Sequence, residues 1–147
     1  MSCFVDTNVL VYWAKDPDPE RRDRARSVVE AAASGGHASI SVQVMSEFAR
    51  VCLSKSPNVD PGLVRRYLNQ FDSLFRVFPL SYDIVLEAIR GVTDHQFSYF
   101  DAQIWAAARL HQIETVLSED FSDGRTIEGV RFLNPFAAGF DLDQLRG

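Results

Sequence analysis

Four acidic residues, Asp6, Glu47, Asp101 and Asp120, occupy places where a carboxylate is hard to explain as surface decoration. Asp6 directly follows the apolar run Cys3-Phe4-Val5, and Asp120 follows Thr115-Val116-Leu117-Ser118-Glu119 in the same way. Short β-branched or aromatic runs bounded by polar residues read as strands, so both aspartates belong at strand tips. Glu47 and Asp101 fall inside helical periods. Val44, Glu47, Phe48 and Val51 share one helix face by i, i+3, i+4, i+7 spacing, as do Asp101, Ile104, Trp105 and Ala108. Each carboxylate therefore interrupts an apolar stripe, and carboxylates are seldom buried without a partner.

Simple local roles exist for each residue alone. Asp101 has the N3 spacing from Ser98 of a capping box, Glu47 has Arg50 and Lys55 within reach along its helix, and Asp6 and Asp120 could begin turns or cap helices. Four such coincidences at one end of one sheet are less economical than convergence on divalent cations. Oxygen-only donors suit magnesium or manganese, which activate water and stabilise charge in phosphoryl chemistry. His37, His95 and His111 have no partner at metal-ligand spacing and read as surface or loop residues. Cys3 and Cys52 form no C-x-x-C pair and read as reduced core thiols.

The elements that must position these groups alternate along the chain. Strands are expected at Cys3–Val5, Ala38–Ile40, Phe75–Phe78, Thr115–Leu117 and Val130–Leu133. A helical pattern begins after Asp6, and further helices are expected near Pro19–Ala33, Val42–Leu53, Pro61–Leu74, Tyr82–Val92 and Tyr99–His111. Strands separated by helices imply a parallel sheet covered on both faces, with ligands at the carboxyl ends of its strands beside the reversal of strand order.

A chain of 147 residues with 46% hydrophobic and 24% charged content fits a single domain, 1–147, with one core. No apolar run approaches the roughly 20 residues that span a bilayer, and the early carboxylate at Asp6 does not fit a signal peptide, so a cytoplasmic location is expected. The net charge of −5 disfavours a broad basic nucleic-acid face, although the average conceals any local carboxylate site. Basic residues cluster at Arg21, Arg22, Arg24 and Arg26 and at Arg65 and Arg66, and read as solvated helix faces.

Phe4-Val5-Asp6-Thr7-Asn8-Val9-Leu10 resembles the opening of PIN-domain nucleases, in particular the VapC-like toxins of type II toxin–antitoxin pairs. Ser41-Val42-Gln43-Val44-Met45-Ser46-Glu47-Phe48 resembles their second motif, and Ser98-Tyr99-Phe100-Asp101-Ala102 their third. Leu117-Ser118-Glu119-Asp120-Phe121, with Gly124 and Val130-Arg131-Phe132-Leu133-Asn134-Pro135 after it, resembles the closing segment. The first motif alone is weak evidence; the four in order are strong. The resemblance implies a three-layer α/β/α PIN-like fold with a central parallel sheet, and magnesium- or manganese-dependent endoribonuclease activity. It further implies an RNA substrate, a homodimer and a cognate antitoxin over the active site. Carried across by motif, Asp6, Glu47, Asp101 and Asp120 are the catalytic metal ligands, with Asn8 and Ser118 as polar support. The closing motif also contains Asp123; Asp120 is preferred over it because it lies nearer the strand tip.

Two other readings compete. Asp6 after a strand suits an aspartyl phosphatase, but Asn8 stands where a second aspartate is usual and the second half of the chain has no lysine. A PIN-like module that binds RNA or protein without catalysis is the other, and the intact acidic quartet speaks against it.

Overall fold

The computed structural model describes residues 1–146. The chain runs β1 (Cys3–Val5), α1 (Thr7–Lys15), α2 (Pro19–Ser34), β2 (Ala38–Ser41), α3 (Val42–Ser54), α4 (Pro61–Leu74) and β3 (Arg76–Phe78). It continues through α5 (Tyr82–His95), α6 (Tyr99–Leu110), β4 (Thr115–Leu117), β5 (Thr126–Ile127), β6 (Val130–Leu133) and α7 (Asp143–Arg146). The strands form one sheet in the order β3-β2-β1-β4-β6-β5, parallel except for the β5–β6 pair. The α/β fold expected from the alternating pattern is therefore present, with a mostly parallel central sheet.

The order of the strands explains where a site can form. From β1 the chain moves outward to β2 and β3, then returns past them to β4 on the other side of β1. Right-handed crossovers put α1–α4 on one face and α5–α6 on the other, and the reversal opens a crevice between β1 and β4. These two strands pair Phe4 with Val116 and Val5 with Leu117. Both are buried along their whole length, which is why each reads as an unbroken apolar run.

Strand tips double as helix caps. The Asp6 side chain accepts from the Thr7 backbone N–H to cap α1, Ser41 accepts from Val44 to cap α3, and Ser98 accepts from Asp101 to cap α6. Helix N-termini thus gather at the carboxyl edge of the sheet, where their partial positive charge favours carboxylates. Helix α1 ends at Lys15 because Asp16 precedes Pro17 and takes an extended conformation.

Two aromatic groups lock the layers. Trp13 of α1 meets Tyr67 and Phe71 of α4 edge to face, and Phe71 meets Phe48 of α3 in the same geometry. On the opposite face Trp105 of α6 lies against Phe97 and His95. A Cβ at Gly91 would come within 2.9 Å of the Trp105 ring, so glycine lets α5 and α6 approach. Among the described residues no helix is long and apolar enough to cross a membrane. Both cysteines are free and buried, as their apolar surroundings imply.

The arginine cluster departs from the solvated face expected of it. Arg21 pairs with buried Asp16 and lies 4.4 Å from the Tyr12 ring centroid. Arg24 donates to the carbonyls of Pro135 and Phe140, and Arg26 to that of Trp13. These side chains fasten α2 to α1 and to the C-terminal segment, contacts that helical periodicity does not reveal. His95 also differs from a free surface residue: it ends α5 and meets Glu128 at 2.6 Å.

Candidate functional site

Asp6 stands at the β1–β4 crevice and is only 5% exposed. Its Oδ1 accepts from the Thr7 N–H at 2.7 Å and its Oδ2 from the Ser118 hydroxyl at 2.8 Å. Asn8, the second residue of α1, donates from Nδ2 to Ser118 Oγ at 3.0 Å and to Asp120 Oδ2 at 3.1 Å. Its Oδ1 accepts from the Glu119 N–H at 3.4 Å. Asn8 therefore stitches the loop after β4 to the start of α1 and brings Asp120 to the mouth of the crevice.

Glu47 and Asp101 come in from the flanks. Glu47, half-buried on α3, accepts from Thr7 Oγ1 at 3.2 Å and from Gln43 Nε2 at 3.2 Å. Its bond to Thr7 joins α3 to the segment that carries Asp6. Asp101 is half-buried in the first turn of α6, where its backbone N–H, at 3.4 Å, is what Ser98 caps. The local roles available to these residues are thus only partly used. Ser98 does cap α6, yet the Asp101 carboxyl also feels the charges of Asp120 and Glu47, and no ion pair joins Glu47 to Arg50 or Lys55 among the described residues.

The electrostatics of the cluster follow from this crowding. Burial chiefly, with the charges of Asp120 and Asp101, raises Asp6 to about 7 against the opposing bonds from Ser118 and Thr7. Asp101 is also raised, chiefly by burial and then by Asp120 and Glu47, against the effect of the Ser98 hydroxyl. Negative charge at Asp6 and Asp101 is therefore costly unless protons or cations offset it. The donors of the quartet are all carboxylate oxygens, with neutral amide and hydroxyl neighbours, which matches the preference of a hard divalent cation. Among the described residues no three acidic, histidine or cysteine side chains already converge on one point. Magnesium contacts few carboxylates directly and keeps several waters, so an open set of this kind suits it.

Asp123 is turned elsewhere. It is exposed, and its Oδ1 accepts from the Asn134 N–H at 2.8 Å, tying the loop to the end of β6. Ser118 donates to Asp6, and Asn8 donates to Asp120. Thr7 and Gln43 were not among the expected site residues; their adjacency to Asp6 and their i, i+4 spacing from Glu47 were the available signals. Tyr12, whose hydroxyl donates to Glu119, is a further neighbour of the crevice. Burial and Glu119 push its phenol up to about 12, so it stays a donor.

The sequence pattern of the PIN domain matches residues 3–122, from β1 to the loop beyond β4. No curated protein matches the sequence. A chain from a toxin–antitoxin complex of Klebsiella pneumoniae superposes with a TM-score of 0.68 at 24% identity, covering 92% of this chain and 98% of that one. VapC20 of Mycobacterium tuberculosis, described as a sarcin-ricin loop cleaving toxin, gives 0.64 at 18% identity over 78% of this chain and 87% of its own. VapBC2 of Rickettsia felis, bound to a promoter DNA fragment, gives 0.66 at 16% identity over 90% and 97%. At these identities the structural likeness speaks for the fold.

Proposed function

The chain belongs to the PIN-domain family, and from that premise we propose that it is a magnesium- or manganese-dependent endoribonuclease serving as the toxin of a toxin–antitoxin pair. One observation supports the reading: Asn8 and Ser118 tie Asp120 to Asp6 at the tips of β4 and β1, Asp101 adds its charge to theirs and feels that of Glu47, and burial with these neighbours holds Asp6 up at about 7. A buried, partly protonated aspartate among other carboxylates is costly to keep. It has a clear use if cations displace the proton.

In this reading Asp6, Asp101 and Glu47 hold the principal ion and Asp120 supports it or a second one. An ion bound there supplies Lewis-acid polarisation of a phosphodiester and acidifies an attacking water. The chain's own groups set the geometry. Ser118 and the Thr7 N–H fix both oxygens of Asp6, Thr7 and Gln43 fix those of Glu47, and Asn8 holds Asp120 beside them. These three carboxylates are thereby oriented before substrate arrives, which lowers the reorganisation needed at the transition state. Asp123 is left out of the set because its bond to Asn134 occupies it. The preference for Asp120 rests on that difference and on the Asn8 contact.

The toxin role draws on the family and on relatives solved as toxin–antitoxin complexes. It carries with it an antitoxin partner and a homodimeric assembly. Expression of the chain alone is expected to arrest bacterial growth, and co-expression of a small partner encoded beside it to relieve the arrest. Unimpaired growth at high soluble expression would remove the toxin role and leave the nuclease chemistry to be judged by RNA cleavage.

A further inference from the structure

We infer that the groove between α3 and α6, next to Glu47, is a nucleobase subsite that holds a base flanking the scissile phosphate of single-stranded RNA. The inference rests on the ribonuclease reading and adds to it where the substrate's sequence is read. The groove has a volume of about 880 Å³, enough for a nucleotide, and runs from Glu47 past Gln43 and Val42 to the start of α6. Its far wall is aromatic: Tyr99 is 39% exposed and Phe100 61% exposed, at the first turn of a helix whose other residues are mostly buried. Exposed rings beside a phosphodiester site offer π-faces to any unstacked base.

Gln103 is the second observation. It is only 3% exposed, yet it lines the groove. Its Nε2 donates weakly to the Tyr99 hydroxyl at 3.4 Å, and its carbonyl oxygen has no partner among the described residues. No polar side-chain atom among the described residues is both sealed and unpartnered, so this oxygen keeps some access to solvent. A buried amide with a free acceptor in the lining of an aromatic-walled cleft matches the edge of a base, which presents amino and imino donors. An apolar side chain from a protein partner would leave that oxygen desolvated and unpaired, at a cost.

Charge favours the same occupant. Arg50 lines the groove one turn beyond Glu47, and its guanidinium has no carboxylate partner among the described residues. A free cation there fits the phosphate of a strand whose neighbouring phosphate lies in the acidic crevice. Gln43 ties the two places together, donating to Glu47 Oε1 at 3.2 Å and to the Phe100 carbonyl at 3.4 Å.

The test is fluorescence anisotropy with labelled oligo-A, oligo-C and oligo-U, in magnesium, using the full chain carrying Asp6→Asn so that RNA survives. Phe100→Ala, at an exposed position that the fold does not need, should weaken binding of the preferred RNA by at least about fivefold. Gln103→Leu should level the differences among the three RNAs, and Arg50→Ala should weaken all of them alike. If Gln103→Leu melts before it can be assayed, Phe100→Ala decides. Affinities unchanged within about twofold in Phe100→Ala and Gln103→Leu would overturn the subsite. So would a loss of self-association, by sedimentation, with RNA binding intact, since the groove would then be a protein interface. Cleavage by the unsubstituted chain is measured alongside. Cleavage together with unaltered binding in both variants rejects the subsite alone, whereas base-dependent binding without cleavage supports the subsite and rejects the ribonuclease reading.

Discussion

The Ser118 hydroxyl donates to Oδ2 of Asp6 at 2.8 Å, joining the tips of β4 and β1 across the point where strand order reverses. The same oxygen accepts from Asn8 Nδ2 at 3.0 Å and from the Asp120 N–H at 3.1 Å. One hydrogen is given and two lone pairs are filled, which exhausts what a serine hydroxyl can do. Ser118→Ala removes a hydrogen bond to a charged group, worth about 1.5–3 kcal/mol to the ionised form. Asp6 should then titrate still higher, and the acidic limb of the activity profile should move to higher pH. A pH–rate profile checks this; an unmoved limb would separate Ser118 from the ionisation of Asp6.

The metal-free protein should become less stable as pH rises. Asp6 moves from an ordinary 3.8 when unfolded to about 7 when folded, so the stability linked to its proton is fully present below 3.8 and lost as pH rises through about 7. Across that window the slope approaches about 1.4 kcal/mol per pH unit for one proton, and the raised Asp101 adds in the same direction. Asp6→Asn should flatten most of the slope and raise the Tm above neutral pH in chelator. Magnesium or manganese should raise the wild-type Tm, more at pH 8 than at pH 6, because ions compete with the proton on Asp6. Urea titrations and thermal melts across this range measure both effects.

Much of this site could be read in the sequence, because its carboxylates violate local expectation. Glu47 and Asp101 each break an apolar helical stripe, and Asp6 and Asp120 each end an apolar run; burial patterns obey periodicity, so exceptions are visible. What the sequence concealed was contact across elements. Nothing in spacing tells that Thr7 would reach Glu47, or that Arg24 would bind carbonyls near the C-terminus. β5 also escaped notice, since Thr126–Ile127 is too short for any period and exists only by pairing with β6. The turn that makes this pairing, Glu128-Gly129, has positive φ at both residues, 48° and 84°, and marks a tight hairpin only in hindsight.

Glu128 fastens that hairpin to the helical layer. Its carboxylate meets Arg90 at 2.9 Å and His95 at 2.6 Å, while Trp105 donates to the Ile127 carbonyl at 3.2 Å. Arg90 and His95 hold Glu128 down at about 2. The sign is opposite to that of Asp6: this stability is present above an ordinary 4.5 and lost as pH falls through about 2. Partial exposure limits it, so Glu128→Gln should cost under about 1 kcal/mol near neutral pH. The difference from wild type in urea should fade as the acid end is approached. A penalty that persists undiminished in acid would mean that packing, and not charge, holds the hairpin.

The central claim is that the carboxylates in the β1–β4 crevice perform metal-dependent cleavage of RNA. The most direct measurement is the single-turnover cleavage rate of a mixed-sequence RNA by purified wild type and Asp6→Asn, in magnesium or manganese and in chelator. The expected result is cleavage by wild type only with metal, and a loss of at least about a hundredfold in Asp6→Asn, since its neutral amide is a poor ligand for a hard cation. The variant should melt cooperatively, at or above the metal-free wild type. Cleavage by wild type that survives the chelator, or a folded Asp6→Asn that cuts at the wild-type rate, would contradict it.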